Sequence, residues 1–420
     1  MAATHAKLGD VLRVASFRNF WLGFAFSGVG DAMTKTALVW YVLARTGSPT
    51  DVGLLLLAYA GPVTVGGLVA GHLLDRFDRR KVMLLDSLVR GTVVASVPIA
   101  AATHYLALAH IYVVAGVYGF LFMISLAGAP SVIPSLVSDS QLNAANSLET
   151  LAFTVQGVAG PAIAGVLIAG VGAPYVLAVD AFSYFAFASA LARLNIQATH
   201  ESAAVESSSY RLRDAVRLLL RSPVLLSTTL MFMCFNAGIG FLQVWLPIQA
   251  KTIDAAHGPE VYGALFAVMA AGETAGALTA ARLACGRPEG QLICAAQTLS
   301  GLGLALAFLG TTIWTTAPAL FLCGFFSAPM TAWAQTLRMR IIPPALRGRS
   351  FALLRTLMQA SAPAFSGVGG ALFGLVGLRA LMAMSVGMTG LPGLIGSRVH
   401  ELVHGRGAHS SAEDPAGSTP

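Results

Sequence analysis

The 420 residues predict an all-α membrane protein of twelve transmembrane helices, arranged as two pseudo-symmetric six-helix bundles. Three observations carry the prediction. First, 56% of the residues are apolar, only 11% are charged and the mean hydropathy is +0.72, whereas a soluble domain carries about 25% charged residues. Second, the apolar residues fall in runs of roughly 20, and each such run spans a bilayer core of about 30 Å as a helix. Third, Lys and Arg concentrate on alternate breaks between the runs, as membrane topology demands. The composition excludes disordered, collagen-like and disulfide-rich secreted classes. The net charge of +7 does not point to nucleic acid, because it sits in short breaks and not on one folded face. Cys234, Cys285, Cys294 and Cys323 show no CxxC spacing and read as small hydrophobes.

The runs, in order, are 20–43, 52–74, 82–102, 110–136, 146–169, 174–194, 223–249, 260–282, 291–312, 317–338, 350–376 and 378–398. They read as helices because each segment must satisfy its own backbone groups in lipid. Turn and charge signals separate them: Thr46-Gly47-Ser48-Pro49, the Asp75–Lys81 cluster, Gly258-Pro259, Arg287-Pro288 and Pro343-Pro344. Residues 1–19 form an N-terminal tail and 20–194 the first bundle. Residues 195–222 form a central loop, 223–398 the second bundle, and 399–420 a C-terminal tail expected to be disordered. Within the central loop, Tyr210–Arg221 puts Leu212, Val216 and Leu219 on one face, an amphipathic helix at the membrane surface. With the N-terminus inside, the inner segments hold 20 Lys and Arg, and the outer loops hold only Arg45, Lys251 and Arg379. Both termini are therefore expected in the cytoplasm.

The halves repeat weakly. Gly128-Ala129-Pro130 matches Ser327-Ala328-Pro329, and Gly160-Pro161 matches Ala362-Pro363. With an even number of helices per half, the copies run in the same direction, and a binding site is expected between them near mid-membrane.

The strongest local signal joins the second and third helices: Gly71-His-Leu-Leu-Asp75-Arg76-Phe-Asp78-Arg79-Arg80-Lys81. The glycine permits close helix approach, and the acid among bases can latch one conformation and release it. This stretch resembles the signature of the major facilitator superfamily between those helices, Gly-x-x-x-Asp-Arg-x-Gly-Arg-Arg/Lys, with Asp78 in place of the usual glycine. That departure is similar to the branch that holds the enterobactin exporter and macrolide efflux proteins. Gly30-Asp31, Thr46-Gly47-Ser48, Asp86 with Arg90, and Ala145-Asn146 resemble the same branch. In the fifth helix, Gly157, Gly160, Pro161 and Gly165 resemble the superfamily's antiporter motif, which implies export; Ala164 departs from its closing glycine pair. The second half's counterpart, Gly276 to Arg287, lacks the acid.

Ionisable groups inside apolar runs are costly and point to function. Asp31 lies about 11 residues into the first helix, roughly 17 Å deep, with Lys35 one turn on and able to pair with it. Glu273 lies roughly 14 Å deep in the eighth helix. The resemblance implies that helices 1, 5, 7, 8, 10 and 11 surround the cavity and 3, 6, 9 and 12 stand outside. That ranks Asp31 and Glu273 above Asp180 as proton carriers, with Lys35 a further proton-coupling candidate beside Asp31. Gly71, Asp75, Arg76, Arg79 and Arg80 are expected to gate the inner side, and Asp86, Arg90, Glu149 and Arg355 to lock helices together. Trp40, Phe235, Asn236, Gln243, Trp245, Trp333 and Gln335 are the cavity candidates, a set that suits a lipophilic or amphiphilic ligand. No catalytic residues are expected, since the chain has no P-loop, no His-Glu-x-x-His and no Gly-x-Ser-x-Gly. His72, His104, His110 and His257 show no metal spacing, so neither metal nor cofactor is expected.

The reading is a bacterial inner-membrane secondary transporter exporting a drug, siderophore or other natural product by proton antiport. Its partners are then the small-molecule substrate and membrane lipid, and the fold needs a single chain. The rivals are an importer or uniporter, a lysophospholipid flippase of the same fold, and a non-transporting membrane sensor.

Overall fold

The structure, a computed structural model, describes residues 8–194, 212–283, 288–310, 312–343 and 346–404, without the side chain of Asp75 and a few others. The expected tail beyond 404, the polar part of the central loop at 199–209, and Cys285 lie outside the described residues.

A short α1 (Leu8–Leu12) precedes the first half: α2 (Ala15–Thr46), α3 (Pro49–Arg76), α4 (Arg79–Ala102), α5 (Leu108–Val132), α6 (Leu142–Val171) and α7 (Ala173–Arg193). After α8 (Leu212–Arg221) come α9 (Pro223–Ile253), α10 (Gly258–Leu283), α11 (Glu289–Ala305), α12 (Ile313–Ile341), α13 (Arg347–Gly396) and a short α14 (His400–His404). Ten helical stretches are long and apolar enough to cross a membrane, one of them the 44 residues Leu353–Gly396. That stretch is two spans, because Gly377 inside it has φ 75° and ψ 178°, which only glycine adopts readily. Polar residues inside α2, Asp31 and Lys35 among them, keep it below the hydropathy of the others, yet at 32 residues it has the length to span.

Local chemistry sets the helix ends. Ser48 accepts a hydrogen bond from the Asp51 amide at 3.2 Å to start α3, with Pro49 in the first turn. Ser222 and Pro223 repeat the device at α9. Gly47 closes α2 at φ 65°. The amphipathic α8 packs on α9 and α13, but the residues it buries are Ala215 and Leu219. Val216, expected on that face, is exposed, because the pocket formed by Leu225, Ile342 and Leu354 selects the Leu219 side. The Leu212 side chain lies outside the described residues.

The two halves are built alike. In the first, α2 packs on α6 and α7, and α3 on α5; in the second, α9 packs on α13, and α10 on α12. Close glycine crossings recur in both halves: Gly66 and Gly119 sit on backbone carbonyls of Phe120 and Tyr59, while Gly272 and Gly324 sit on those of Phe321 and Met269. A Cβ at any of them would collide with main chain, so these glycines permit the close helix approach at each crossing.

Between halves, α6 meets α10 and α3 meets α13. The close contacts lie where α3 begins and α6 finishes. Thr50 Oγ1 donates to the Gly370 carbonyl at 2.7 Å, Gly165 abuts the backbone of Pro259 and Glu260, and Trp40 packs on Tyr262. Toward the other end, where α2 begins and Arg76, Arg79 and Arg80 cluster, the halves stand apart around a cavity.

Candidate functional site

That cavity encloses about 660 Å³ and is walled by α2, α3, α5, α9 and the first arm of α13. Helices 2 and 4, α3 and α5 here, therefore contribute to it, which the expected arrangement omitted; helix 10, α12, does not line it among the described residues. Lys35 stands at its head, and Tyr59, Asn236, Gln243, Arg355, Thr356 and Gln359 give it polar character among apolar residues such as Phe122 and Ile239. A second chamber of about 200 Å³ adjoins between α6 and α10 and shares Lys35, Leu56 and Gln243 with the first. Glu273 and Pro161 line this smaller chamber.

Behind the cavity, inside the first half, lies a buried ionic network that the sequence showed only in part. Arg90 chelates Asp86, its neighbour one turn back, with Nη2 to Oδ2 at 2.5 Å and Nε to Oδ1 at 3.1 Å. Ser125 of α5 donates to Asp86 Oδ2 at 2.9 Å. The Nη1 of Arg90 also donates to the Tyr184 hydroxyl at 2.8 Å and stands 3.6 Å from Asp31 Oδ1. The guanidinium lies over the Tyr184 ring, 4.6 Å from its centroid. Asp31 Oδ1 accepts from the Tyr118 hydroxyl at 2.5 Å and from the Tyr184 hydroxyl. Beside it, Asp180 is fully buried and accepts from Thr34 at 2.6 Å and Ser183 at 3.1 Å.

Asp31 thus pairs with Arg90 and not with Lys35, as the spacing had suggested. A guanidinium from α4 backed by two tyrosines outcompetes an ammonium on the same helix, whose stem turns instead toward the cavity and the Tyr59 ring at 6.0 Å. Among the described residues no acid pairs with Lys35 or with Arg355. Arg355, expected to lock helices, is exposed on the cavity wall. Asp86 and Arg90 do join α4 to α2, α5 and α7, and Glu149 is half-buried near the start of α6. Tyr118, Tyr184 and Ser125 were missed because isolated hydroxyls in apolar helices carry no spacing signal. Helices 3 and 6, assigned outside the cavity, supply Arg90, Tyr184 and Asp180 to this inner layer.

Asp31 is not sealed. A chamber of about 30 Å³ touches it and shares Phe122 and Leu126 with the large cavity. A second small void, about 10 Å³, lies between Lys35, Thr34 and Tyr118.

Of the seven cavity candidates, Asn236 and Gln243 line it. Trp40 and Trp245 are buried, Trp40 against Tyr262 at the closed end. Phe235 and Trp333 pack in a separate core between α9, α11 and α12, and Gln335 is exposed away from the cavity. Helical phase separates them: residues one apart, such as Phe235 and Asn236, point about 100° apart around the helix.

In the α3–α4 turn, Asp78 accepts from the Arg80 amide at 2.9 Å and caps α4. Arg79 donates to the Ser131 carbonyl at 3.0 Å, and Arg80 to Leu191 at 2.7 Å and Ala192 at 2.5 Å, tying the last turns of α5 and α7. These carbonyls carry the negative ends of their helices, which suits a cation. Arg76 lies beside the Phe77 ring. The Gly71 expectation of a close helix approach is not met: a side chain there would meet no atom within 4 Å. Asp75 lies in the last turn of α3, and its side chain lies outside the described residues. In the antiporter-like run, Gly160 packs on Ala32 of α2, while Gly157 and Gly165 face α10.

Two six-helix halves around a partly polar cavity define a transporter of the major facilitator superfamily. Residues 10–413 match the family described as "Transmembrane secretion effector", and the chain belongs to it. It is 24% identical to the multidrug efflux pump Tap of Mycolicibacterium fortuitum over 86% of this chain and 90% of that protein. It is 26% identical to the enterobactin exporter EntS of Salmonella choleraesuis over 87% of this chain and 86% of that one. The solved structure of a bacterial homologue of the iron transporter ferroportin, inward-facing, superposes with TM-score 0.69 at 15% identity, over 92% of this chain and 98% of that one. The chain is a membrane transporter with efflux relatives, not an enzyme.

Proposed function

We propose that this protein exports a small organic molecule across a bacterial inner membrane in exchange for protons, by alternating access. The observation that carries the reading is the Asp31 carboxylate: it lies midway along α2, contacts α4 and α7, and borders a small chamber that shares Phe122 and Leu126 with the large cavity. Protonating it removes the charge that faces Arg90, which remains chelated by Asp86. The tie between helices then loosens, and a proton gained on one side and lost on the other can drive rocking of the halves. The void shared by Lys35 and Tyr118 gives substrate at Lys35 a short route to influence this carboxylate. Glu273, facing the adjoining chamber, is the alternative carrier.

The excess of Lys and Arg at the open end supports placing that end and both termini in the cytoplasm, so the conformation is inward-open. Closure of that end would bring Gly71 and the Arg76–Arg80 turn against the second half, where the open face of Gly71 allows approach. Gly157 and Gly165 let α6 slide on α10. Direction and cargo class follow the relatives, named for multidrug efflux and enterobactin export. The proton gradient is the energy source, with no bound cofactor, and one chain forms the whole pathway.

The test is proton release from everted vesicles or proteoliposomes on adding a panel of antibiotics and siderophores, with Asp31→Asn and Glu273→Gln alongside. Substrate-dependent proton movement lost in Asp31→Asn supports the assignment. Flux that moves no protons would sink the antiport while leaving a transporter.

A further inference from the structure

We propose that the molecule carried is an amphiphilic organic anion, its negative group held between Lys35 of the first half and Arg355 of the second. The inference rests on the large cavity being the transport site.

Both cations face the same cavity, Lys35 from α2 and Arg355 from α13, and both are exposed there. Among the described residues that line it there is no carboxylate. The nearest acids do not pair with either cation: Asp31 is turned to Arg90, Tyr118 and Tyr184, and Glu273 lines the adjoining chamber, which Lys35 also borders, without an ion pair to it. Two fixed cations in a space walled by low-dielectric helices attract an anion and repel a cation far more than they would in water. A membrane protein keeps such charges at depth only where they have a partner for part of the cycle. At Arg90 the chain supplies buried carboxylates as partners; at Lys35 and Arg355, among the described residues, it supplies none.

The remaining lining describes the rest of the ligand. Asn236, Gln243 and Gln359 offer amide hydrogen bonds, and Leu56, Phe122 and Ile239 offer apolar contact. A volume of about 660 Å³ is within the range of drug-sized ligand sites. Because one cation belongs to each half, a bound anion bridges the halves and favours their closure around it. When the cavity is empty, the like charges repel and hold that end apart. This gives closure a dependence on cargo without any further contact.

The experiment uses the full chain in phosphatidylcholine nanodiscs and three fluorescent probes that share one ring system: dansylglycine (anionic), dansylamide (neutral) and dansylcadaverine (cationic). Dansylglycine should bind at least about tenfold more tightly than either of the others, the scale of one charge-assisted contact. Lys35→Gln and Arg355→Gln should each erase that preference, and Lys35→Arg should keep it; unchanged thermal midpoints exclude misfolding. Adding phosphatidylglycerol separates two anion sources. Displacement of dansylglycine by the lipid identifies a lipid headgroup as the anion, and indifference identifies a free solute. Equal or absent binding of the three probes, preference for dansylcadaverine, or a preference that survives both glutamine variants overturns the proposal. Flux in proteoliposomes is measured separately. Anion binding through Lys35 without flux would defeat the transport reading alone, and flux of the neutral or cationic probe without anion preference would defeat this inference alone.

Discussion

Arg90 and Asp31, on helices that the sequence gives no reason to join, stand 3.6 Å apart, with the guanidinium also chelating Asp86. Arg90 is the sole base in this layer among the described residues, and it serves two carboxylates. Removing it leaves the buried Asp86 with only Ser125 as a donor and Asp31 with only its two tyrosines. Arg90→Gln is therefore expected to cost about 3–5 kcal/mol, read as a lowered thermal midpoint in detergent. Asp86→Asn/Arg90→Gln should recover part of the loss, because one stranded charge goes with the other. If the single variant is as stable as the parent, the network is not what holds α2 to α4.

The closed end depends on the approach of Gly53 to Gly370 and on the Thr50 hydrogen bond to the Gly370 carbonyl. Gly370→Val puts a branched side chain against the backbone of α3 and should force this end open. The opposite end then closes, so a single cysteine replacing Arg355 in a cysteine-free background should label more slowly. A shift of ~1.4 kcal/mol in the balance of states would slow labelling about tenfold. An unchanged rate would mean that the two ends do not move in opposition.

Asp78, which stands where the superfamily pattern has glycine, caps α4 through the amides of Arg80 and Lys81. Asp78→Ala should cost about 1 kcal/mol of stability and Asp78→Gly only a few tenths, as at helix N-caps generally. Thermal denaturation of the two variants side by side measures the difference. Equal losses would show that the cap contributes nothing here.

In the turn between α9 and α10, Asp254 accepts from the amides of Ala256 and His257 and pairs with the His257 ring at 3.0 Å. That hydrogen bond and charge hold the imidazole above its ordinary value, and the same bonds hold Asp254 below the usual carboxylate range. The sign follows directly: the pair stabilises the turn while His257 is protonated and loses this contribution as pH rises through its raised value. In Asp254→Asn the titration of His257, followed by NMR of the ring protons, should move to lower pH. No movement would show that the pair does not form in solution.

Much of the architecture was legible from residues alone. The twelve runs, the arginine-rich breaks, the Gly71–Lys81 turn and the mid-membrane acids of α2 and α10 are all one-dimensional signals, because lipid imposes span length and charge asymmetry on any chain. Tertiary structure decided which groups meet. Spacing within α2 offered Lys35 as the partner of Asp31, yet pairing is settled by what neighbouring helices bring, and α4 brought Arg90 with two tyrosines behind it. The same holds for the cavity. Only Asn236 and Gln243 of the seven candidates reach it, since each helix's rotation is set by glycine crossings such as Gly66 on Phe120 and Gly272 on Phe321, contacts between segments that no local pattern encodes. The sequence by itself determined that this chain crosses a membrane many times and carries charge at depth; packing alone decided that Asp31 is held while Lys35 and Arg355 face the cavity.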